Sequence, residues 1–570
     1  MERRKPKAVF MAFGTKGDVY PLAAIAAAFA RDQKQYDVML ITHSAHESLS
    51  THLAEKHVQY CPVSSPPVLC ADQNNDTEGK AESSFFLQKK KVTRDLRQEC
   101  YALIERIFGD GPGLDGDLIV INFFALEGWS LAESFCVRCI VAAPYVVPYS
   151  APATFESQFQ IELPLLYKYL IDAPSGKVCW KDVIHWMWPL FTENWGSWRN
   201  DVLHLSPCPF TDPVTGIPTW HDRPQSPLVM YGFSKEVVEC PEYWPSKVLV
   251  CGFWFLPIEW QFTCKKCRKI SLHDSSDDLC PSHLELQNFI KTTPIFIGLS
   301  SIGSMGFLKN PYAFICVLQT VLSTTNYRFI LFTARYEPLE SIVRTIAAEA
   351  SFEQKKWSDD CVPLCNGRLL CFSGSVPYGW LFPKCAAVIH HGGSGTTAAA
   401  LQAGTPQVVC PFILDQFYWA ERMHWLGVSP EPLSRNHLLP DKNDNTSIHE
   451  AARVLSLTIH DALSSTVKAR AAEIAERILL ECSTTWWQWE ADYKECNSAK
   501  RSSKVFYYIT YDNVVIVDEA GYNSCRAPKG SITYRSGNDH IALARGPNYF
   551  ICTNQDHCSL NGMKIAVNAI

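Results

Sequence analysis

Residues 386–416 read "AAVIHHGGSGTTAAALQAGTPQVVCPFILDQ", and this stretch decides the fold class. An apolar run ends at His390 and His391, small residues follow, and an Ala-rich helical pattern comes next. A buried strand that turns through glycines into a helix is typical of α/β domains. We therefore predict a strand, a Gly-rich turn and a helix within these residues.

The two adjacent histidines have three candidate roles: metal ligands, a catalytic base, or hydrogen-bond donors to an anion. Neighbouring side chains on a strand point to opposite faces, which argues against a metal site formed by the pair. The first turn of a helix offers unpaired N–H groups and a positive dipole end, and both favour a phosphate or diphosphate. We expect His391 to face the ligand and His390 to be packed. The alternative is a tight structural turn with incidental histidines.

Alternation of strand and helix extends over most of the chain. The predicted strands include residues 7–13, 36–43, 117–124, 139–148, 246–255, 293–301 and 327–334, and a helix is predicted at 21–32. Such alternation predicts α/β domains with parallel sheets. We divide the chain into a first Rossmann-like domain (1–245), a linker with a Cys-rich insertion (246–292), a second Rossmann-like domain with a helical tail (293–500), and a small all-β unit (505–570). Two such domains are expected to face each other across a ligand cleft.

Composition excludes several classes of protein. Of the 570 residues 47% are apolar, and the net charge is −6, so no basic surface suggests a nucleic-acid partner. No apolar run reaches the length of a membrane-spanning helix, and the apolar part near the N-terminus is too short for a signal peptide. The 23 cysteines are scattered, which is typical of reduced thiols in a cytoplasmic protein.

Two further turns carry carboxylates. In "FGTKGDVYPLAAIA" (13–26) Asp18 lies between a strand and a helix, where it could accept a proton from a hydroxyl group or cap the helix. In "FILDQFYWAERM" (412–423) Asp415 and Gln416 follow a strand. An acid beside an amide suits vicinal sugar hydroxyls, and a helix N-cap is again the alternative.

Taken together, these stretches resemble the family-1 nucleotide-sugar glycosyltransferases, which have the two-domain GT-B fold. The resemblance points to the branch of sterol glucosyltransferases and glycopeptide-antibiotic glycosyltransferases. "GTKGDVYPLAAIA" resembles the N-terminal signature of that branch, and residues 376–428 resemble its donor-binding signature nearly throughout. The resemblance covers about residues 7–490.

The resemblance implies a role for each matching residue. Asp18 would be the base that deprotonates the acceptor hydroxyl, which then attacks the anomeric carbon with inversion. Asp415 and Gln416 would hold the sugar, and Val376 and Pro377 would border the nucleotide base. The residues implied to hold the donor diphosphate are His391, Gly393, Ser394, Gly395, Thr396, Ser300, Ser301 and Ser304.

The resemblance also implies the substrates. UDP-glucose is the usual donor of the family, and no metal or other cofactor is required. The aromatic side chains of residues 145–198 would suit a flat, lipophilic acceptor such as a sterol or triterpenoid, although most of them are expected to be core. A lipid substrate would favour transient contact with a membrane surface. Two features depart from the plant secondary-metabolite enzymes: Lys16 takes the place of their catalytic histidine, and "SGSVP" replaces the start of their donor motif, where a tryptophan stacks on uracil.

The linker contains one candidate metal site. Cys264-x2-Cys267 is followed twelve residues later by Cys280-x2-His283, a spacing that fits a structural zinc knuckle. Because the chain is rich in cysteine throughout, a solvated Cys-bearing loop is the favoured interpretation.

Residues 505–570 resemble the second half of a phytocyanin, in particular plantacyanin. The resemblance implies copper-ligand places at Cys552, His557 and Met563 and a disulfide between Cys525 and Cys558. The place of the first histidine ligand is Asp512, and the first strands of the copper fold are missing. We predict a degenerate fragment that does not bind blue copper. Two rival functions therefore stand beside glycosyl transfer: a non-catalytic nucleotide-sugar binder, and a copper electron carrier.

Overall fold

The computed structural model describes residues 5–69, 78–109, 114–146, 151–174, 176–219, 226–239, 244–245, 247–262, 264, 266–267, 279–299, 302–349, 358–479, 503–507, 513–534, 538–542, 546–553, 558 and 564–569. The chain divides into two compact units. The first comprises Met1–Phe233, Cys240–Leu249 and Trp254–Glu473, and the second comprises Ser234–Glu239, Val250–Phe253 and Ile474–Ile570. No helix in the described residues is both long and apolar enough to cross a membrane.

The first sheet has seven strands. They are β1 (Lys7–Met11), β2 (Asp37–His43), β3 (Val58–Val63), β4 (Leu118–Ile121), β5 (Arg138–Ala143), β6 (Leu228–Tyr231) and β7 (Val248–Val250). Their order is β3-β2-β1-β4-β5-β6-β7, and the pairs from β3 to β6 are parallel. Because β7 joins this sheet, strand pairing extends the first domain beyond residue 245.

Helices and short helical turns accompany this sheet. The helices are α1 (Lys16–Asp32), α2 (Ser50–Glu55), α3 (Glu78–Phe108), α4 (Glu127–Ser134), α5 (Phe155–Glu162), α6 (Pro164–Ile171), α7 (Trp180–Asp182) and α8 (Pro189–Thr192). A 3-10 turn covers Ser44–Leu49, and π-helical turns cover Val183–Met187 and Trp198–Val202. The prediction began α1 at residue 21, but the helix begins at Lys16, because Thr15 and Asp18 form a capping box there.

The second sheet has six strands. They are β8 (Ile295–Gly298), β9 (Phe329–Phe332), β10 (Cys361–Leu364), β11 (Leu369–Phe372), β12 (Ala387–His390) and β13 (Gln407–Val409). Their order is β10-β11-β9-β8-β12-β13, and every pair is parallel except β10 with β11. The helices from the linker onward are α9 (Ile258–Gln261), α10 (Pro281–Ile290), α11 (Pro311–Thr324), α12 (Glu337–Glu349), α13 (Tyr378–Leu381), α14 (Ser394–Gln402), α15 (Gln416–Trp425), α16 (Asn445–Ala462) and α17 (465–479), with 3-10 turns at Phe382–Lys384 and Arg435–His437.

Helices cover both faces of the second sheet. Ile295, Ile297 and Ile389 pack on one face with residues of α11, α12 and α16. Phe296 and Val388 pack on the other face with residues of α10, α13 and α14. Strands buried on both faces explain the near-continuous apolar runs in the sequence. Together with the first sheet, this arrangement confirms the predicted fold class of two Rossmann-like domains.

The second unit is mostly β-structure. A two-stranded antiparallel sheet joins β14 (Ser503–Tyr507) to β17 (Asn538–Ala542). A four-stranded antiparallel sheet contains β15 (Val514–Val517), β16 (Thr533–Tyr534), β18 (Gly546–Ile551) and β19 (Lys564–Ala569), in the order β16-β15-β18-β19. One short helix, α18 (Glu519–Ser524), accompanies them. The structure joins Cys525 to Cys558 by a disulfide, the pair that the phytocyanin resemblance implied.

Candidate active site

The turn between β12 and α14 requires a glycine at its second position. Gly392 has φ +85°, and a Cβ there would lie 2.9 Å from the carbonyl oxygen of Gln416 and 2.9 Å from Val409 Cγ1. Both the backbone angle and the lack of space exclude larger residues. Gly392 was not among the site residues predicted from the sequence. Its position between the strand and the predicted phosphate-binding residues could have indicated it.

The N-terminus of α14 presents the predicted phosphate-binding groups. Gly393 is the N-cap, with φ −62° and ψ 139°, so the first-turn N–H groups of Ser394, Gly395 and Thr396 are left without helical partners. The hydroxyls of Ser394 and Thr396 make no hydrogen bond to other described residues. Thr397, in contrast, donates its hydroxyl to the Gly393 carbonyl at 3.0 Å. The end of this helix therefore offers donors to an anion.

The two histidines differ in their surroundings. His390 is 0% exposed, its Nε2 lies 2.8 Å from Gln407 Oε1, and its Nδ1 accepts the Gly392 N–H at 3.1 Å. His391 is 8% exposed, and its Nδ1 has no hydrogen-bond partner among the described residues. Burial lowers the pKa of His391 to about 4, against the opposing effect of a backbone hydrogen bond with Gly298. His391 is thus a neutral side chain with an uncommitted nitrogen, while His390 is fully engaged in packing.

Asp18 lies in the corresponding turn of the first domain. Its Oδ2 accepts the Thr15 backbone N–H at 2.7 Å and the Thr15 hydroxyl at 2.8 Å. Gly14, with φ +107°, keeps space open beside it, since a Cβ there would lie 2.6 Å from Asp18 Oδ2. Both hydrogen bonds end on Oδ2, and Oδ1 bonds to no described residue. Sequence analysis gave helix capping and proton acceptance as alternative roles for Asp18. One carboxylate can fill both roles, because each uses a different oxygen.

The N-termini of α1 and α14 meet across the cleft between the two Rossmann-like domains. A Cβ added to Gly395 would lie 3.3 Å from the Cα of Gly17. Two positive helix ends thus converge on one region. The pKa of Lys16 is lowered, first by desolvation and then by the positive charge of Arg335 from the second domain. The junction accordingly favours a ligand with several negative charges.

Asp415 approaches Asp18 closely enough for the two carboxylates to interact. Burial and, less strongly, the charge of Asp18 raise the pKa of Asp415 to about 7, against the opposing effect of a hydrogen bond from Trp419. The Trp419 Nε1–H donates to Asp415 Oδ2 at 3.0 Å. Asp415 occupies the N-cap position of α15 but makes no side-chain capping bond, so the capping alternative fails here. Its carboxylate is held by the tryptophan instead.

Gln416 is anchored by its carbonyl oxygen. Gln416 Oε1 accepts the N–H groups of Phe412 at 2.9 Å and Ile413 at 3.1 Å. The amide nitrogen takes no part in these bonds and can donate to a ligand. Asp415 can accept from hydroxyl groups, so the pair combines an acceptor with a donor, as the sequence suggested.

Several side chains that hold the Asp18 turn were not predicted from the sequence. Asn122, at the end of β4, accepts the Phe13 N–H with Oδ1 at 3.2 Å and donates with Nδ2 to the Phe13 carbonyl at 2.7 Å. His43 Nε2 accepts the Gly14 N–H at 3.1 Å, and His46 Nε2 donates to the Gly14 carbonyl at 3.0 Å. These residues could have been proposed from the sequence, because they lie at or just after the carboxyl ends of β2 and β4.

The remaining predicted donor residues are only partly described. Val376 packs against the core below α14, and Pro377 is the N-cap of α13. Ser304 lies half-buried in the turn after β8. Ser300 and Ser301 lie outside the described residues, so their predicted phosphate contacts stay predictions.

The aromatic residues of the predicted acceptor region are mainly packed together. Trp180 stacks on Phe155 with ring centroids 6.1 Å apart and meets Phe159 and Tyr167 edge-on at 5.1 and 4.9 Å. The other buried aromatics of this region are Tyr145, Tyr169, Trp186, Trp195 and Trp198. The expectation that most of these side chains are core matches this packing.

The structure describes all four ligands of one candidate metal site but only one ligand place of the other. The sulfurs of Cys264, Cys267 and Cys280 lie within 4.8 Å of one another, and His283 contacts Cys267 and Cys280, so these residues are not spread along a solvated loop. Of the copper-ligand places, Cys552 is buried, whereas His557, Met563 and the substituted Asp512 lie outside the described residues. The prediction that this fragment does not bind blue copper therefore stays a prediction.

Comparison with known protein families matches two parts of the chain. Residues 363–477 match the C-terminal domain of erythromycin biosynthesis protein CIII-like proteins. Residues 502–563 match a plastocyanin-like domain.

Individual relatives extend these matches. A sterol 3-beta-glucosyltransferase of Arabidopsis thaliana is 24% identical over 467 residues, which is 81% of this chain and 62% of that protein. The glycotransferase of kitacinnamycin superposes with a TM-score of 0.49 at 13% identity, covering 86% of this chain and 99% of the other. Spinach plantacyanin is 55% identical over 12% of this chain and 75% of its own, with a TM-score of 0.12.

The chain thus spans less than two thirds of the plant relative's length. Three findings nevertheless support its resemblance to glycosyltransferases: the family match at residues 363–477, the 467-residue alignment with the plant relative, and the two Rossmann-like domains. The chain is therefore similar to sterol 3-beta-glucosyltransferases over most of its length and to plastocyanin-like domains over residues 502–563.

Proposed function

We propose that the protein is an inverting glycosyltransferase that moves a sugar from a nucleotide-diphosphate sugar to a hydroxyl group of a lipophilic acceptor. The donor is UDP-glucose, and the acceptor is a sterol or triterpenoid. Support for this substrate class comes from the similarity to sterol 3-beta-glucosyltransferases. A cytoplasmic location with transient contact at a membrane surface belongs to the same proposal.

One observation carries the proposal: the N-termini of α1 and α14 meet, since a Cβ on Gly395 would lie 3.3 Å from the Cα of Gly17, and each has a carboxylate nearby, Asp18 and Asp415. The first carboxylate belongs to the helix end that would face the acceptor. The second adjoins the helix end that would face the donor. A base and a sugar-binding acid therefore meet where the N-termini of α1 and α14 also meet.

Asp18 would act as the general base. Its pKa is raised to about 6 by burial, against the opposing hydrogen bonds from Thr15, so it is mostly ionised at neutral pH and still close to the working range of a base. Oδ1 is the oxygen that takes the acceptor proton, because Oδ2 is engaged by Thr15. The acceptor oxygen forms a bond to the anomeric carbon as the bond from that carbon to the diphosphate breaks.

The second domain would stabilise the departing diphosphate. Its negative charge is met by first-turn N–H groups of α14, by the positive helix end and by the imidazole of His391. Hydroxyls of the sugar are met by the Asp415 carboxylate and the Gln416 amide nitrogen. These groups need no metal to balance the charge of the leaving group.

Labelled UDP-glucose incubated with a panel of sterols, triterpenoids and phenolics tests the proposal, alongside calorimetric UDP binding. We expect transfer to a sterol or triterpenoid, with loss of transfer in Asp415→Asn. Asp441→Asn, a carboxylate change on an exposed side chain of the same domain, is the matched control and should keep wild-type activity. UDP binding without transfer to any acceptor would identify a non-catalytic binder, and neither binding nor transfer would overturn the whole proposal.

A further inference from the structure

Four potential metal ligands converge where the linker meets the second domain. The Sγ atoms of Cys264, Cys267 and Cys280 all lie within 4.8 Å of one another. His283 Nδ1 lies 3.0 Å from Cys280 Sγ and 3.5 Å from Cys267 Sγ. In a tetrahedral site with Zn–S bonds of about 2.3 Å, ligand atoms are separated by about 3.5–3.8 Å. The three sulfurs, and the contacts of His283 with Cys267 and Cys280, are therefore close to the dimensions that a bound zinc ion would impose.

The orientation of His283 distinguishes this cluster from an incidental group of thiols. Its Nε2 lies 2.8 Å from the Ser375 carbonyl oxygen, which can only accept, so Nε2 carries the proton. In the neutral imidazole the lone pair is then on Nδ1, the atom that faces the sulfurs. A backbone carbonyl that fixes the tautomer of a ligating histidine is a usual feature of zinc sites.

The surroundings also suit a structural metal. Cys267 is 0% exposed and His283 is 3% exposed. The Cys280 N–H donates to Cys267 Sγ at 3.3 Å. The rings of Phe262 and Phe372 lie 5.1 and 5.6 Å from the His283 ring and shield it from solvent. Phe262, Cys267 and Leu279 form only a small apolar cluster, so a metal would supply cross-links that side-chain packing does not.

We propose that Cys264, Cys267, Cys280 and His283 bind one Zn²⁺ ion in a structural site. Binding forms three Zn–S bonds and one Zn–N bond and releases the three thiol protons to solvent, without any change of oxidation state. Four protein ligands leave no open position for substrate, so the ion has a structural and not a catalytic role.

The site would fasten the linker to the second domain. His283 lies in the first turn of α10, whose Leu286 and Phe289 pack into the core of that domain. Through His283 the ion would also hold the Ser375 carbonyl, directly before the residues predicted to border the nucleotide base. Metal loss should therefore loosen the linker and the segment that follows β11.

Metal analysis of the purified full-length chain tests the proposal without any substrate, so its result is independent of the proposed glycosyl transfer. We expect one Zn²⁺ per chain by mass spectrometry. After exchange, Co²⁺ should give the intense visible bands of a tetrahedral thiolate site. Cys280→Ser should lose most of the bound zinc, while Cys136→Ser, a change at an exposed free cysteine elsewhere, should keep it.

Less than about half an equivalent of zinc in protein reconstituted with Zn²⁺ would overturn the proposal. Octahedral Co²⁺ bands, or a Cys280→Ser variant with wild-type zinc content, would also overturn it. If Cys280→Ser does not fold, the wild-type cobalt spectrum still decides the question. A chelator provides the complementary measurement: it should lower the melting temperature of the wild-type protein and leave that of a folded Cys280→Ser variant unchanged.

Discussion

Asp18→Asn separates the chemical role of Asp18 from its structural role. The carboxylate caps α1 through two hydrogen bonds from Thr15 that both end on Oδ2. An asparagine oxygen can accept the same two bonds, since asparagine is as good a capping residue as aspartate. The substitution therefore removes the charge and the proton-accepting oxygen while keeping the turn.

The expected loss of activity follows from the role of a general base. Positioned bases contribute about 10²–10⁴-fold to rate, so kcat should fall by that amount while UDP binding is unchanged. In the wild-type protein, the pKa of Asp18 near 6 predicts that kcat/KM falls about tenfold per pH unit below pH 6. Because Asp18 and Asp415 interact, the acidic limb belongs to the pair, and Asp18→Asn should shift it.

The same substitution should stabilise the fold at alkaline pH. Burial raises the pKa of Asp18 from 3.8 to about 6, so the folded state disfavours its ionised form. The associated stability is present below pH 3.8 and is lost as the pH rises through 6. When the pKa of a group is one pH unit higher in the folded than in the unfolded state, the free energy of unfolding changes by about 1.4 kcal/mol across that range. For Asp18, whose side chain is partly exposed to screening solvent, the free energy of unfolding changes by about 1–2 kcal/mol in total.

Asp18→Asn should thus be inactive and, at pH 8, more stable than the wild-type protein by about 1–2 kcal/mol, with the difference vanishing towards pH 4. Initial rates across pH and thermal melts at several pH values measure both effects. Asp32→Asn, at the other end of α1, is the control and should change neither. Transfer at more than a tenth of the wild-type rate in Asp18→Asn would refute the role of Asp18 as base.

Three further substitutions test the donor side. His391→Ala should lower the affinity for UDP by about tenfold, because it removes one hydrogen-bond donor worth about 1–1.5 kcal/mol; calorimetry measures it, and unchanged affinity would contradict the diphosphate role. Trp419→Phe removes the N–H that holds Asp415 and should raise the pKa of that carboxyl further and increase KM for the sugar donor; an unchanged KM and pH profile would contradict this. Gly392→Ala should lower the melting temperature and solubility, since its Cβ would meet the Gln416 carbonyl; a wild-type melting temperature would show that the turn can relax.

The sequence predicted those parts of the fold that depend on local pattern. β1, β2, β4, β8, β9 and β12 lie within the predicted strands, because buried parallel strands are apolar runs bounded by turns. The antiparallel pair of β10 with β11 was not predicted. Pro363 lies within β10, and proline is unusual inside a strand, so the local pattern argued against it.

The candidate site was predictable only in part. Strand–glycine–helix turns mark anion sites locally, so Asp18 and His391 could be proposed without a structure, and Asp415 could be proposed as an acid beside an amide after a strand. Asn122 could not, because its role depends on which turns the first sheet brings together. Trp419 lies only four residues after Asp415, but the sequence pattern did not show that its N–H holds that carboxylate. The linker cysteines are a second example. Their spacing could be read from the sequence, but the direction in which His283 Nδ1 points could not.

Both domains place a carboxylate near a helix N-terminus, but the two carboxylates are held differently. In each, a strand turns through glycine into a helix whose N-terminus faces the cleft, and a carboxylate lies nearby. In the first domain Thr15 holds one oxygen of Asp18 within the helix cap, which leaves the other oxygen for a proton. In the second, Asp415 is withdrawn from its helix cap and held by Trp419, which suits a ligand hydroxyl. The proposed difference between base and sugar ligand therefore follows from a nearby side chain in each domain: Thr15, three residues before Asp18, and Trp419, four residues after Asp415.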